Sequence, residues 1–189
     1  MKKLFYEIPN IEGKRIVLRR LMPSDSDSLN KLKQSDEVYR WLPTFLCEKK
    51  YDDDEYVIEH LYDECLEESL ILGIFLDDKF CGLAEIYGYR APFLKVSVGY
   101  RLLPEFWGQG IATETLGLMI SFLFYKTNIK VITASTMVEN TASANVLKKN
   151  GFKRIAHDVF ENWGYPSLTK TDKWIKTVGG NIRYPFNKT

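Results

Sequence analysis

The order of helical and strand-like segments in this 189-residue chain predicts a mixed α/β fold. The first half alternates apolar runs with turn residues, which is typical of antiparallel strands joined by tight turns. The second half alternates strand-like runs with helical patterns, which favours crossover connections between strands. Hydrophobic residues make up 45% of the chain and charged residues 27%, so a sizeable core and a hydrated surface are both expected.

The first half opens with a strand predicted over residues 14–21. Pro23, Ser24 and Asp25 follow it and introduce a helix that runs to about residue 33, because small polar residues favour helix starts. The remaining elements of this half are a short helix at 36–41, a long acidic helix at 52–68, and strands at 70–76, 80–89 and 93–103.

The second half contains the crossover pattern. It is predicted to hold a helix at 110–125, a strand at 129–135, a helix at 141–149, and strands at 152–160 and 169–175. Asn150 and Gly151 end the second of these helices with a left-handed cap signal. We expect one domain over residues 10–177 and a C-terminal tail over 178–189.

Charge and cysteine usage exclude several function classes. The formal net charge is +1, whereas a protein that coats nucleic acid needs a strong basic excess. Cys47, Cys65 and Cys81 are too scattered for a disulfide framework, and with His60 and His157 they show no zinc-ligand spacing. No apolar run is long enough for a membrane span. We therefore predict a cytoplasmic protein, monomeric or homodimeric, that binds neither metal nor nucleic acid nor membrane.

A glycine-rich turn lies between the strand at 93–103 and the next helix. Gly108 and Gly110 allow a tight turn and close approach by a ligand, since neither has a Cβ. The unpartnered amides at the start of the helix, together with its dipole, suit a phosphate or pyrophosphate. A tight turn that binds nothing is the alternative for a lone Gly-x-Gly. A P-loop is excluded because the Gly-Lys-Ser/Thr sequence is absent.

Two sequence motifs carry a family resemblance. Residues 98–114, VGYRLLPEFWGQGIATE, resemble the acetyl-CoA-binding motif of the GNAT N-acetyltransferases, and more closely that of the ribosomal-protein N-terminal acetyltransferases (RimJ/RimL type). Residues 138–152, VENTASANVLKKNGF, resemble the second motif of the same family. The opening strand GKRIVLR at 13–19, followed by Pro23-Ser24-Asp25, matches the usual start of the family. The similarity covers roughly residues 10–177.

The resemblance implies a GNAT-like fold, a mostly antiparallel twisted sheet in which a splayed strand pair holds acetyl-CoA. The backbone of Tyr100, Arg101 and Leu102 would pair with the pantetheine arm of the cofactor. Asn140 and Asn145 would bind the pantetheine or the phosphates. Trp107 stands where the family usually has Gln or Arg, and the backbone amides from Gln109 to Thr113 would cradle the pyrophosphate. The remaining cofactor residues form this turn and the start of the next helix: Trp107, Gly108, Gln109, Gly110, Ile111, Ala112 and Thr113.

Catalytic candidates follow from the demands of amine acetylation, which needs a proton donor near the leaving sulfur and a carboxylate near the amine. Ser143 matches a serine that is thought to act as the acid in the ribosomal-protein branch; it is otherwise an ordinary first-turn residue. Many relatives have a tyrosine where this chain has Leu147. Glu161 and Glu85 are the candidate bases, with His157 as a further alternative.

The acceptor side is expected to lie near the early helices. The acidic helix at 52–68 would steer a cationic acceptor or simply present a solvated face. Tyr39, Trp41, Phe45 and Tyr51 lie where relatives form the acceptor wall. We predict acetyl transfer to a peptide N-terminus or another primary amine. The alternatives are a polyamine or small-molecule acetyltransferase, a non-catalytic acetyl-CoA sensor, and a nucleotide-binding regulatory domain.

Overall fold

A mixed sheet of eight strands forms the centre of the fold. The computed structural model describes residues 5–42, 53–64 and 69–179. The strands are Ile11–Glu12 (β1), Ile16–Arg19 (β2), Leu70–Leu76 (β3), Lys79–Arg90 (β4), Lys95–Leu102 (β5), Val131–Met137 (β6), Lys153–Glu161 (β7) and Thr169–Thr177 (β8). The α-helices are Ser26–Lys33 (α1), Asp36–Tyr39 (α2), Asp54–Glu64 (α3), Ile111–Lys126 (α4) and Thr141–Lys149 (α5). The strand order is β1-β2-β3-β4-β5-β6-β8-β7.

Tight turns join the first strands into an antiparallel meander. The two-residue loop between β3 and β4 places Asp77 at φ 47° and Asp78 at φ 61°. Positive φ at both positions gives the turn the twist that antiparallel neighbours need. The sequence reading of strands and a turn in this segment is therefore confirmed.

The pairing becomes parallel where α4 crosses from β5 to β6. This helix is apolar around most of its circumference and packs under the sheet. After β6, α5 leads to β7 at the outer edge, and β8 returns between them as an antiparallel neighbour of both. The predicted combination of a meander and a crossover unit is thus observed.

The two faces of the sheet are covered by different helices. The core on one face joins α4 and α5 to side chains such as Val98 and Leu102 of β5. The core on the other face joins α1, α2 and α3 to Phe75 of β3 and Leu83 of β4. Because side chains alternate along a strand, the neighbouring residues Leu83 and Ala84 of β4 belong to different cores.

Several element boundaries differ from the sequence prediction. The first strand is limited to Ile16–Arg19, and β1 precedes it through a turn in which Gly13 N donates to Ile16 O at 2.8 Å. A two-residue strand is too short for an alternation pattern. Ala91–Phe93 forms a 3₁₀ turn with Leu94 at φ 46°, so β5 starts later than predicted.

Some expectations concern residues outside the described ranges. These are Phe45 and Tyr51 of the expected acceptor wall, Cys47 and Cys65, both ends of the predicted acidic helix, and most of the predicted tail. Cys81 is buried and free. Among the described helices, none is long and apolar enough to cross a membrane.

Candidate functional site

A cleft of about 1010 Å³ opens where β5 and β6 separate. Their parallel pairing ends at Ser97 and Thr133, although β5 runs to Leu102 and β6 to Met137. The facing backbone groups of β5 beyond Ser97 are therefore not paired with β6. This is a strand edge inside the molecule that can accept a ligand with amide groups.

Backbone hydrogen bonds show which residues of β5 face the opening. The indole Nε1 of Trp107 donates to Leu102 O at 2.8 Å, so this carbonyl points away from β4. Leu103 N donates to Cys81 O, which places the next residue toward β4. Because the direction alternates along a strand, Tyr100 and Leu102 face the opening. This alternation argues against the backbone contact expected from Arg101.

The glycine turn forms the far end of the cleft. Gly108 has φ 74° and Gly110 has φ 79°, backbone conformations that residues other than glycine rarely adopt. A Cβ added to Gly108 would meet nothing within 4 Å, so the turn is open to a ligand. Gly110 is the N-cap of α4, and the first amides of that helix point outward. The turn therefore offers the backbone donors and dipole of an anion site.

Gln109 is the predicted cofactor residue that does not line the cleft. Its side chain turns back and donates to Glu105 O at 2.7 Å, and its carbonyl accepts from Arg15 Nη1 at 3.1 Å. Arg15 also contacts Glu114 on α4 through Nε at 2.8 Å. These contacts fix the turn against the β1–β2 hairpin. The Gln109 side chain therefore stabilises the turn and does not face the cleft.

The start of α5 forms the wall beside the opening. Asn140 caps this helix, since its Oδ1 accepts from Ser143 N at 3.0 Å. Asn140, Ser143 and Asn145 all line the cleft. At the other end of α5, Asn150 Nδ2 donates to Thr113 O at 3.2 Å, which ties α5 to the first turn of α4.

The proton-donor candidate lies on the α4–α5 side of the sheet. Tyr100 follows Gly99 on β5 and therefore points to the opposite face from Gly99. Its hydroxyl lies 3.0 Å from Ser143 Oγ, which brings the serine to this side of the split strands. Leu147, one turn further along α5, is buried in the core.

The two glutamates lie on the other face of the sheet. Glu85 is paired with Gly99 across β4 and β5, so the two share a face. Its carboxylate forms an ion pair with Arg101, whose side chain is 1% exposed. The guanidinium carbon of Arg101 lies 6.0 Å from the ring centroid of Tyr39, a residue of the expected acceptor wall.

Glu161 stands at the end of β7 within a network of donors. Its Oε2 accepts from Thr171 Oγ1 at 2.9 Å and from Trp163 Nε1 at 3.1 Å, and it forms an ion pair with Lys173. Burial raises the pKa of Glu161, but the hydrogen bonds from Lys173, Thr171 and Trp163 lower it more. Its pKa therefore lies below the ordinary value, and the group is a carboxylate at neutral pH.

His157 and α3 lie away from this site. His157 Nδ1 is 2.6 Å from Asp172 Oδ1, a buried carboxylate that also accepts from Arg154 at 3.0 Å, and the imidazole does not line the cleft. This position argues against His157 as the base. The residues of α3 from Asp54 to Tyr62 do not line the cleft either, and Asp54 is paired with Lys33 at 2.6 Å.

Tyr87, Ser135 and Lys173 are among the cleft residues that sequence reasoning missed. Period-two alternation from Glu85 predicts that Tyr87 shares its face, so a signal existed for this residue. A Cβ at Gly99 would lie 3.6 Å from Cε1 of Tyr87, so the glycine leaves space for that ring. Lys173 donates to Ser135 Oγ at 2.9 Å through the β6–β8 pairing, which no local pattern indicates.

Aromatic and apolar residues surround the mouth on the face of the glutamates. Trp41 and Leu42 line the cleft after α2, and Trp163 lines it after β7. Tyr165 links these two segments, because its hydroxyl donates to Leu42 O. Trp41 thus lies where the acceptor wall was expected.

The described residues fit acetyl-CoA at both ends of the cleft. Open positive-φ glycines at a helix N-terminus suit the pyrophosphate, and the unpaired edge of β5 suits an extended amide-containing arm. The glycine turn, the open edge of β5, Ser143 and the two glutamates all line the same cleft at the split between β5 and β6.

Comparisons with known proteins agree with this geometry. The N-acetyltransferase YoaA of Bacillus subtilis (strain 168), itself uncharacterised, is 25% identical over 178 residues, which cover 90% of this chain and 96% of that protein. The structure of Mycobacterium smegmatis RimJ in complex with CoA-disulfide is 20% identical, with a TM-score of 0.79 over 94% of this chain and 90% of that one.

A further similar structure is an acetyltransferase from Salmonella typhimurium that modifies the N-terminal serine of the 50S ribosomal subunit protein L7/L12. It is 16% identical, with a TM-score of 0.75 over 90% of this chain and 99% of that one. At these identities the likeness concerns the fold. Residues 15–153 match the model of the acetyltransferase (GNAT) domain. The chain is therefore a member of the GNAT family of acetyltransferases, whose members use acetyl-CoA.

Proposed function

We propose that this acetyltransferase transfers an acetyl group directly from acetyl-CoA to the N-terminal amine of a protein or peptide. The observation that carries the proposal is the position of the split between β5 and β6. A serine hydroxyl lies on one face of it and two carboxylates lie on the other. The carboxylates can therefore act on the acceptor from one side of the opening, while the serine acts on the leaving group from the other side. The N-terminal activity of the Salmonella relative supports the choice of acceptor.

The cofactor is bound in this proposal by the turn and by the open strand edge. The amides from Gly110 to Thr113 at the start of α4 cradle the pyrophosphate. Tyr100 offers its backbone groups and Leu102 its amide to the pantetheine arm, and Asn145 lies beside it on α5. Bound acetyl-CoA supplies the thioester carbonyl that an amine attacks.

Ser143 acts as the acid and Glu161 receives the proton from the amine. The three contacts of Glu161 with described residues converge on Oε2, so Oε1 is the oxygen left for the acceptor or for a bridging water. A carboxylate is a weak base toward a free ammonium. It is sufficient once attack has begun, because the attacking nitrogen then becomes strongly acidic. Glu85 lies at the acceptor end of the cleft, where its charge is neutralised by the ion pair with buried Arg101. It acts there as a polar group and not as the base.

The polyamine alternative has less support from the described residues. Both cleft glutamates are paired with cations, and Asp54, Glu55 and Glu59 of α3 lie outside the cleft. A polyamine would therefore find neutral ion pairs and aromatic walls at this mouth. A peptide terminus, with one amine and an adjacent amide, suits these groups better.

A panel of acceptors read by mass spectrometry tests the proposal. With acetyl-CoA, peptides with free N-termini are expected to gain one acetyl group and release free CoA. Matched peptides with a blocked N-terminus and an internal lysine, and polyamines, are expected to stay unmodified. Acetylation confined to lysine or polyamine would overturn the acceptor assignment, and binding without turnover across the panel would favour the sensor.

The same assay with Ser143→Ala tests the acid. Turnover should fall by ~100-fold or more with little change in the KM for acetyl-CoA, as expected for loss of a general acid. Thr141→Ala, an exposed change in the same helical turn, serves as the control. Wild-type turnover of Ser143→Ala would remove the acid role and leave the acceptor result intact.

A further inference from the structure

The contact between Tyr100 and Ser143 joins a strand of the sheet to the helix that holds the proposed acid. The Tyr100 hydroxyl lies 3.0 Å from Ser143 Oγ and 3.5 Å from the Ser143 carbonyl oxygen. The pairing spans 43 positions of the sequence. The family resemblance implies only a backbone role for Tyr100, so this use of its side chain is a separate feature of the site.

By geometry either hydroxyl can donate in this bond, and we assign its hydrogen to the phenol. Burial raises the pKa of Tyr100 to about 12, although the hydrogen bond with Ser143 opposes the rise. The ring therefore stays protonated at any physiological pH. A phenol is also a stronger donor than an aliphatic alcohol, so Tyr100 donates and Ser143 Oγ accepts.

Two contacts then hold Ser143 in different ways. Asn140 accepts from the backbone amide of Ser143, which fixes the main chain at the start of α5. Among the described residues, Tyr100 is the partner that contacts the serine hydroxyl itself. Once Oγ accepts from Tyr100, the hydroxyl hydrogen of Ser143 is directed away from the phenol.

We propose that Tyr100 is a positioning residue that orients the Ser143 hydroxyl for protonation of the departing CoA thiolate. The inference rests on the proposed function of this site. The acceptor nitrogen forms its bond to the acetyl carbon, the carbon–sulfur bond breaks with its electron pair on sulfur, and Ser143 gives sulfur its proton. The acceptor nitrogen loses its proton to Glu161, and a proton returns from Glu161 to Ser143 through solvent, so the products are the amide and CoA thiol.

The test is a double-mutant cycle of Tyr100→Phe and Ser143→Ala with a peptide acceptor. Tyr100→Phe keeps the ring and removes only the hydroxyl. We expect its kcat to fall ~5–10-fold with an unchanged KM for acetyl-CoA and an unchanged melting temperature. In the Ser143→Ala background, Tyr100→Phe should cause no further loss, because the oriented group is already absent.

Tyr87→Phe is the matched control. It removes another phenol that lines the cleft, but Tyr87 lies on the Glu85 face and away from Ser143. Any fold-change in kcat caused by Tyr87→Phe should be the same in the wild-type and Ser143→Ala backgrounds, so the two effects multiply.

The outcomes separate the two proposals. If Ser143→Ala lowers kcat and Tyr100→Phe multiplies that loss, the positioning role is wrong and the acid role stands. If Tyr100→Phe raises only the KM for acetyl-CoA, the phenol is a binding group and the positioning role is again wrong. If Ser143→Ala has no effect, the acid assignment fails, and the positioning role fails with it.

Discussion

Gly110 combines two demands at the residue scale, a backbone of positive φ and a surface with no side chain. It adopts φ 79° as the N-cap of α4, and Nη2 of Arg15 would lie 3.5 Å from a Cβ added there. A carboxylate at this position would lie next to Arg15 at the start of α4, where the proposed pyrophosphate binds. Charge repulsion would then act on the ligand at short range.

Gly110→Asp is therefore expected to weaken acetyl-CoA binding by ~100-fold or more, which corresponds to ~3 kcal/mol. Isothermal titration calorimetry measures the change. Gly88→Asp is the matched control, because Gly88 has φ 63° and open space around it but does not line the cleft. It carries the same backbone strain and should keep wild-type affinity. Unchanged affinity in Gly110→Asp would contradict the phosphate assignment.

Individual residues also show where prediction from sequence succeeds. The tight turn at Gly108 and Gly110 is identified by a local motif, since turn geometry depends on adjacent positions. Lys173 and Ser135 meet through pairing across 38 positions, and the Tyr100–Ser143 contact spans 43. Such contacts depend on strand order and register, which one sequence does not contain. The family resemblance predicts a cofactor role for the backbone amide of Gln109, whereas the contact of its side chain with Glu105 has no sequence signature.

At the scale of elements, β7 is an edge strand that carries Glu161 into the cleft. Two register shifts interrupt its pairing with β8, and Asp158 adopts φ 56° beside one of them. Asp172 of β8 contacts both His157 and Arg154 of β7, and its side chain is 6% exposed. The buried carboxylate therefore strengthens the attachment of an irregular edge strand.

Asp172→Asn should lower the free energy of unfolding by ~1–2 kcal/mol at pH 7. Burial raises the pKa of Asp172, but the contacts with His157 and Arg154 lower it more. The folded pKa thus lies below the unfolded value of about 3.9, so the carboxylate stabilises the fold above that pH. The contribution is lost as the pH falls through the folded pKa.

Urea unfolding at pH 7 and in acid checks this expectation, and the difference between wild type and Asp172→Asn should shrink in acid. Asp158→Asn is the control, since that carboxylate is half exposed and lies 3.7 Å from His157 Nε2. It should change stability by less than ~0.5 kcal/mol. Equal effects of the two variants would contradict a special role for the buried group.

The sequence predicts the elements well where the patterns are long. The helix predicted at 110–125 is observed as Ile111–Lys126, because its apolar residues and glycine start give a strong signal. The insertion of β8 between β6 and β7 was not predicted, since strand order depends on which faces remain to be covered. The separation of β5 from β6 was expected only from the family resemblance.

At the scale of the whole molecule, the net charge of +1 is an average over unlike regions. Lys149 lines the cleft at the α5 wall, whereas Asp54, Glu55 and Glu59 of α3 lie elsewhere. Arg154 is paired with Asp172. The charge that matters for the cofactor is thus local and includes the backbone dipole of α4.

A ligand that binds the folded cleft should stabilise the whole molecule. At 100 times its Kd, acetyl-CoA is expected to add ~2.7 kcal/mol, a rise of ~5–10 °C in the melting temperature. Thermal unfolding with acetyl-CoA, and with GTP at the same concentration, provides the comparison. Stabilisation by GTP alone would support the nucleotide-binding alternative and contradict the cofactor assignment.

The Trp107–Leu102 hydrogen bond has a consequence for solubility and selectivity. A strand with unpaired backbone groups is a template on which a foreign strand can add, and such edges promote aggregation. By occupying the last carbonyl of the open edge of β5, the indole shortens that template. The start of α5 crowds the same edge near Tyr100. What remains suits a slender chain with few amides and is too short for a polypeptide strand.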